Sequence, residues 1–203
     1  MSPPQWLRVT RAASIIAALS IALASGASAG GFDDGAAPYE RCALCHGLFG
    51  DSPRAKFPKL AGQRPGYLAR QINAFLSGHR SNDGGQMVSV VTELSTDDMT
   101  AVVDWFSTQD HPAPKPTDAF EHGQLLYMAS GCYDCHDETA SGPATMPFLS
   151  AQHPDYLAKQ MREIRDGLRP SDSKGEMRAQ LDTLSDAEIE LIAAYLAALE
   201  RPE

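Results

Sequence analysis

The sequence predicts an all-α fold made of two similar halves. Apolar side chains recur at the three- and four-residue spacing of a helix face, and no run of residues suggests a strand. The halves align at an offset of 89 to 90 residues, so that 65–71 matches 154–160 and 94–95 matches 184–185. Because each half is long enough to hold its own core, the repeat favours two domains over a solenoid.

The first 29 residues have the pattern of a secretory signal peptide. Two arginines precede an apolar run at 12–24, and Ala27-Ser28-Ala29 forms an A-x-A cleavage site. The apolar run is shorter than the roughly 20 residues of a membrane-spanning helix, which disfavours the alternative of an uncleaved anchor. We therefore predict a cleaved signal at 1–29 and an exported mature chain.

A proline-rich segment separates the two halves. Three of the five residues at 112–116 are proline, which makes a stiff and extended spacer. We predict a first domain at 30–110, a linker at 111–118 and a second domain at 119–203.

Helix signals occur in the same order in both halves. A proline begins each middle helix, and a capping box at Ser95 or Ser185 begins each last helix. The predicted buried stripes of the middle helices are Leu68, Ile72, Phe75 and Leu76 in one half and Leu157, Met161, Ile164 and Leu168 in the other. A further helix is predicted at 120–130, whereas residues 33–38 interrupt its counterpart, so that the first helix should be truncated.

All four cysteines fall in two C-x-x-C-H motifs, at 42–46 and 132–136. Two thiols three positions apart lie on one face of a helical turn, where each can add to one vinyl group of the same porphyrin. The histidine that follows, His46 or His136, can then take an axial position on the iron. The motifs predict two covalently bound haem c groups, attached at Cys42, Cys45, Cys132 and Cys135.

Two other kinds of site use C-x-x-C pairs. The pairs of a structural zinc site usually lie closer together than the ninety positions found here, and such a site does not require a histidine after each pair. A thioredoxin-like dithiol would have one motif near a βαβ unit, for which this chain has no strand signal. Both alternatives fit the duplicated motif less well than haem does.

Methionines at matching positions are the candidates for the second axial ligand of each iron. Met87 and Met177 follow polar loops that contain glycine, and each stands seven residues before a Leu-Ser pair. A thioether on the far side fills the coordination sphere and raises the potential, as suits an electron carrier. Three other methionines lie within apolar helical stripes and are predicted to be core residues: Met99, Met128 and Met161.

Three further sets of residues have less specific patterns. Pro58 and Pro147 follow the motif histidines by twelve and eleven residues. At that distance a proline carbonyl can accept a hydrogen bond from the imidazole Nδ1. An ordinary loop proline fits the same pattern equally well. Arg80 and Arg169 hold matching loop positions, where solvated side chains are favoured over contacts with haem propionates. The histidines without a match in the repeat are predicted to lie on the surface: His79, His111, His122 and His153.

The charge of the chain is acidic and uneven. The formal net charge is −9, and residues 31–110 carry ten acidic and seven basic side chains, against fifteen and seven at 119–203. This balance argues against nucleic acid or anionic lipid as a partner and favours a basic docking patch on another protein, with the second domain as the docking face. The alternative is that these acids only solubilise the protein and that docking uses an apolar contact.

Together these residues resemble the dihaem cytochrome c4 family of class I cytochromes c. Each C-x-x-C-H motif is followed by Pro-x-Leu, a Gln, a Tyr-Leu-Ala-[Arg/Lys]-Gln helix, a Met and a Leu-Ser-capped last helix. The resemblance covers nearly all of the chain after the signal. It implies two tandem class I domains related by a pseudo-two-fold axis, with haem edges facing across the interface. It also implies a soluble or loosely membrane-associated periplasmic carrier.

The second half departs from the family pattern in two places. Asp137 follows the motif histidine where the first half has Gly47, and Ser150-Ala151 stands where Ala-Gly is usual. These departures make a dedicated partner more plausible than they would be in a general carrier.

The resemblance implies a protein that passes electrons from a quinol-oxidising complex towards a haem-copper terminal oxidase. The alternative is an electron-accepting cytochrome subunit of a periplasmic dehydrogenase, for example one that oxidises sulfide or an alcohol. A peroxidase-like enzyme would need an open haem without one methionine ligand, and each half has a suitable methionine. We therefore predict an electron carrier and not an enzyme.

Overall fold

The computed structural model describes residues 35–170 and 175–202, so the predicted signal peptide at 1–29 lies outside the described part. Within that part the regular structure consists of nine helices and no strands, which confirms the all-α prediction. The helices are α1 (Pro38–His46), α2 (Pro65–Leu76), α3 (Gln86–Val91), α4 (Thr96–Ser107), α5 (Phe120–Ala129), α6 (Tyr133–His136), α7 (Pro154–Arg165), α8 (Glu176–Leu181) and α9 (Asp186–Ala198). None of the described helices is both long and apolar enough to cross a membrane.

Local sequence signals set the starts of the matched helices. α2 and α7 each begin at a proline, whose missing N–H costs nothing in the first turn. The Ser95 side chain accepts a hydrogen bond from the Asp98 amide at 3.1 Å, while the Asp98 carboxylate accepts from the Ser95 amide at 3.0 Å. Ser185 and Glu188 form the same reciprocal pair at the start of α9. Both predicted capping boxes are therefore confirmed.

Each half builds its own apolar core. In the first half the core is Leu68, Ile72, Phe75, Val91, Val102, Val103 and Phe106, from α2, α3 and α4. In the second half α7, α8 and α9 pack in the same way, with Tyr127 of α5 and Tyr195 of α9 added to the core. The prediction that Leu76 and Leu168 are buried is wrong, because their exposed fractions are 41% and 63%. Leu76 is the last residue of α2, and Leu168 lies beyond the end of α7.

The helix before the motif differs between the halves. α1 begins only four residues before Cys42, whereas α5 begins twelve residues before Cys132 and is separate from α6. The predicted truncation of the first helix is confirmed. At Gly123, α5 crosses α9 so closely that an added Cβ would lie 2.5 Å from Tyr195 Cβ and would also clash with a carbonyl oxygen of α9.

The halves contact each other through matched glutamines. Gln63 Nε2 donates to the Phe148 carbonyl at 3.0 Å, and its Oε1 accepts from the Phe148 amide at 2.9 Å. Gln152 makes the same two bonds with Lys59, each at 2.9 Å. This reciprocal exchange follows a pseudo-two-fold axis, in which each half offers the same patch to the other. Residues 111–117, between the halves, have no regular structure.

Candidate haem sites

The first motif lies on α1, which ends at His46. This histidine is 5% exposed, and its Nδ1 donates to the Pro58 carbonyl at 2.8 Å. The bond fixes the tautomer and leaves Nε2 as the nitrogen that can bind a metal, which is one of the two possibilities that the sequence left open for Pro58. Burial lowers the pKa of His46, although the bond to Pro58 opposes this effect, and a lowered pKa favours the neutral ring that a metal ligand requires.

The cysteines of both motifs are free thiols among the described residues. Cys42 packs against the first core, and Cys132 packs against the second. Burial raises the pKa of each of these two thiols to about 11, so both are protonated at neutral pH in the protein without haem. The two motifs therefore present thiols beside an apolar surface, as a porphyrin requires.

Met87 and Met177 occupy matching places, each as the second residue of a short helix. The glycine before each helix, Gly85 or Gly175, has a positive φ of 83° or 72°. Met87 packs half-buried on the first core and Met177 on the second, and the Asp83 carboxylate holds the Met87 amide. Each candidate thioether thus lies on the same core as the first cysteine of its motif.

The second motif is held differently from the first. His136 Nδ1 is buried and has no hydrogen-bond partner among the described residues, so of the two possibilities for Pro147 the structure favours an ordinary loop proline. The segment from histidine to proline is one residue shorter here than in the first half. The chain leaves His136 through Asp137, which has a positive φ of 57°.

Asp137 organises the loop that follows. Its carboxylate accepts from the Thr139 amide at 2.8 Å, the Thr139 hydroxyl at 2.7 Å, the Gly142 amide at 2.9 Å and the Ser141 amide at 3.3 Å. Burial alone would raise the pKa of Asp137, but these bonds lower it below its usual value. The Asp137 carbonyl also accepts from the Tyr127 hydroxyl at 2.7 Å. Nothing in the sequence beyond the replacement of glycine pointed to this arrangement.

The residues present fit covalently bound haem. Each motif brings two thiols and an imidazole to one short stretch of chain, and a methionine packs on the same core. The described residues contain no group of three or more His, Cys, Asp or Glu that would hold a bare metal ion, which disfavours the zinc alternative.

Known proteins resemble both the sequence and the fold. The cytochrome c family model matches residues 120–200. Cytochrome c4 of Pseudomonas aeruginosa is 31% identical over 183 residues, which cover 85% of this chain and 90% of that protein. The crystal structure of reduced recombinant cytochrome c4 from Pseudomonas stutzeri matches with a TM-score of 0.70 and 30% identity, over 79% of this chain and 94% of that one. The chain belongs to the cytochrome c4 family.

Membership confirms the two tandem class I domains and the two covalently bound haem c groups, and it makes the chain an electron-transfer cytochrome. A second group of similar proteins is named for a role with a dehydrogenase. The thiosulfate dehydrogenase electron acceptor of Thiomonas intermedia is 33% identical over 178 residues, 80% of this chain and 81% of that protein. The structure of thiosulfate dehydrogenase from Marichromatium purpuratum matches with a TM-score of 0.64 and 30% identity, over 77% of this chain and 36% of that one.

The prediction that Arg80 and Arg169 are solvated is wrong. Arg80 is 7% exposed, and Arg169 is half-buried. Each donates across the interface to a tyrosine hydroxyl and a glutamine Oε1 of the other half, at 2.9–3.3 Å: Arg80 to Tyr156 and Gln160, and Arg169 to Tyr67 and Gln71. Each also donates to the matching glutamine of its own half, Arg80 to Gln71 at 2.6 Å and Arg169 to Gln160 at 2.8 Å. The sequence does contain a pattern that could have indicated these contacts, because the arginines and their glutamine and tyrosine partners all recur in the repeat.

One of the four unmatched histidines also joins this cytochrome's interface. His153 is half-buried, and its Nε2 donates to the Ser52 carbonyl at 2.8 Å, so the prediction of a surface position is wrong for this residue. The other three are exposed as predicted: His79, His111 and His122.

Proposed function

We propose that this cytochrome carries electrons in the periplasm, from a quinol-oxidising complex towards a terminal oxidase, with a histidine and a methionine on each iron. The observation that carries the proposal is the matched donor set, in which His46 and Met87 recur as His136 and Met177 on two separate cores. Bound haem supplies a reversible one-electron change at iron. Export by a cleaved signal at 1–29, and domain limits at 110 and 118, belong to the same proposal.

The protein's own residues have distinct tasks in this proposal. The cysteines hold the porphyrin, and the Pro58 carbonyl orients His46 so that Nε2 is available. Met87 and Met177 would complete the donor sets that His46 and His136 begin, and a complete set would exclude substrates and change little between oxidation states. The glutamine pairs and the buried arginines fix one half against the other, so that both sites keep one relative position.

Single Met87→Ala and Met177→Ala variants test the ligands. Each should open one iron to carbon monoxide and lower the potential of that haem, while a pyridine haemochrome assay still finds two haems per chain. Met99→Leu is the matched control, because Met99 packs half-buried on the first core and is not a proposed ligand. If both alanine variants kept closed haems with unshifted potentials, the assignment of these methionines would be rejected.

Relatives favour a second candidate function, as the electron acceptor of a dehydrogenase. Proteins named thiosulfate dehydrogenase electron acceptor are among the similar sequences. The two functions separate when the oxidised protein is mixed with a purified quinol-oxidising complex and its quinol, or with a thiosulfate dehydrogenase and thiosulfate. Rapid reduction only by the second mixture would replace the respiratory proposal with the dehydrogenase one.

We also propose that the partner presents a basic patch to the second domain. Asp134 and Glu138, both exposed, lie on either side of His136. Attraction of this kind mainly raises the association rate, and salt screens it over about 10 Å at 0.1 M. Stopped-flow oxidation by the partner should slow with salt, and Asp134→Asn with Glu138→Gln should slow it at low salt, whereas Asp97→Asn in the first half should not. A rate that is flat with salt would favour an apolar contact instead.

A further inference from the structure

The residue after each ligand histidine differs in a way that changes the charge at the site. Gly47 and Asp137 both end a motif helix with positive φ, at 79° and 57°. A Cβ at Gly47 would lie 3.0 Å from the Asp51 carbonyl oxygen, so the first half has little room for a side chain there. The second half has a side chain at this position with φ 57° and ψ −176°, a combination that essentially only glycine adopts elsewhere.

The Asp137 side chain is fixed, and its surroundings suit an anion. The groups bonded to its carboxylate at 2.7–3.3 Å are three amides and one hydroxyl, all of which donate. A carboxylate that accepts several such bonds is held in its ionised form and cannot turn towards solvent without losing them. The bond from the Tyr127 hydroxyl to the Asp137 carbonyl holds the backbone at the same point.

No cation in the described part of the chain forms an ion pair with this charge. The ion pairs among the described residues do not include Asp137. In the first half the acidic residue nearest to His46 in the sequence is Asp51. It forms an ion pair with Lys59 at 3.1 Å, and its side chain is 56% exposed. The second motif is therefore followed, one residue after His136, by a fixed negative charge that no described residue neutralises, whereas the first motif has Gly47 at the equivalent position.

We propose that Asp137 lowers the reduction potential of the second haem from the value that a neutral residue would give. The inference rests on the proposed ligation by His136. Reduction adds one electron and removes one positive charge from the iron, so a nearby anion stabilises the ferric form more than the ferrous form. Charges in a partly buried site are screened less than exposed ones, so the effect of Asp137 exceeds that of a surface acid at similar separation.

The test is a redox titration of the purified two-haem protein, followed at the α-band. Asp137→Asn removes the charge and keeps nearly the same side-chain shape. It should raise one of the two midpoint potentials and leave the other unchanged. Glu138→Gln removes an adjacent exposed charge and should leave both unchanged.

A loosened loop is the competing explanation, and Thr139→Val separates it from the charge. This variant removes the 2.7 Å hydroxyl bond and keeps the Asp137 carboxylate, so under the proposal both potentials stay in place. If Asp137→Asn fails to retain two haems, Asp137→Gly, which copies the first half, provides the same measurement. Unchanged potentials, equal shifts of both haems, or a matching rise in Thr139→Val would each overturn the proposal. Haemochrome content and carbon monoxide binding report separately on the ligation beneath it.

Discussion

The two halves of this cytochrome position the same motif by different contacts between their first and last helices. In the first half the Tyr39 ring stacks on Trp105 at 3.9 Å, and Trp105 Nε1 donates to the Leu48 carbonyl at 2.7 Å. In the second half Gly123 lets α5 approach α9 directly beside Tyr195. Positions 105 and 195 match in the repeat, so one aromatic site serves two kinds of packing.

The difference follows from the length of the first helix. α1 begins at Pro38, so it meets α4 near the motif, where an aromatic pair fills the space. α5 begins well before its motif and crosses α9 with a glycine at the closest approach. The last helix is therefore equivalent in the two halves, whereas the first helix is specific to each, and substitutions at the two crossings should differ in cost.

The largest effect is expected for Gly123→Val. Its side chain would clash with backbone and side-chain atoms of α9 and force the two helices apart, at a cost of about 3 kcal/mol or more. Gly66→Val is the control, because the nearest heavy atom to a Cβ there is an Arg70 nitrogen at 3.5 Å. Urea unfolding should show a large loss for the first variant and a change within about 0.5 kcal/mol for the control. Equal losses would mean that the α5–α9 crossing is not the tight contact described here.

The interface should respond symmetrically, in contrast to the two crossings. Gln63→Ala and Gln152→Ala each remove two hydrogen bonds to the other half, and each should cost about 1–3 kcal/mol. Gln109→Ala is a control within the first half, because this side chain donates to the Trp105 carbonyl of the preceding helix and to no residue of the described second half. Clearly unequal losses for the two glutamine variants, measured by urea unfolding, would contradict the pseudo-two-fold interface.

The features that depend on local sequence were predictable, and those that depend on the other half were not. The capping boxes and the proline starts of α2 and α7 need only neighbouring residues. The burial of Arg80 and His153 depends on which surface the partner half covers, so a loop position suggested exposure. The bond from His46 to Pro58 was one of two possibilities, and the repeat misleadingly implied the same bond for His136.

A moderate effect is expected for Trp105→Phe, which keeps an aromatic ring against Tyr39 and removes the bond to the Leu48 carbonyl. The loss should be about 1 kcal/mol, the usual net contribution of one hydrogen bond. Tyr133→Phe removes a polar group from an exposed aromatic ring of the second half and should change stability little. Thermal unfolding midpoints would compare the two variants. A loss in Trp105→Phe no greater than that in Tyr133→Phe would show that the indole bond does not stabilise the first half.

The smallest expected effect is a loss of stability at low pH that arises at the His153 end of the interface and not at the Arg64 end. Arg64 and His153 match in the repeat, and each bonds carbonyls of the other half, but only the histidine changes its charge between pH 7 and 5. Burial lowers the pKa of His153, and the nearby Lys59 and Lys115 add to this effect, against the opposing bond to Ser52 and the charge of Asp51. Below about pH 6.5 the unfolded chain therefore binds more protons at this residue than the folded one, so stability falls as the pH drops towards the folded pKa.

His153→Gln should remove this part of the decline, while His122→Gln, at an exposed site, should keep it. Thermal unfolding midpoints at pH 7, 6 and 5 measure the decline directly. An equal decline in the wild type and in His153→Gln would show that the histidine end of the interface is as insensitive to acid as the arginine end.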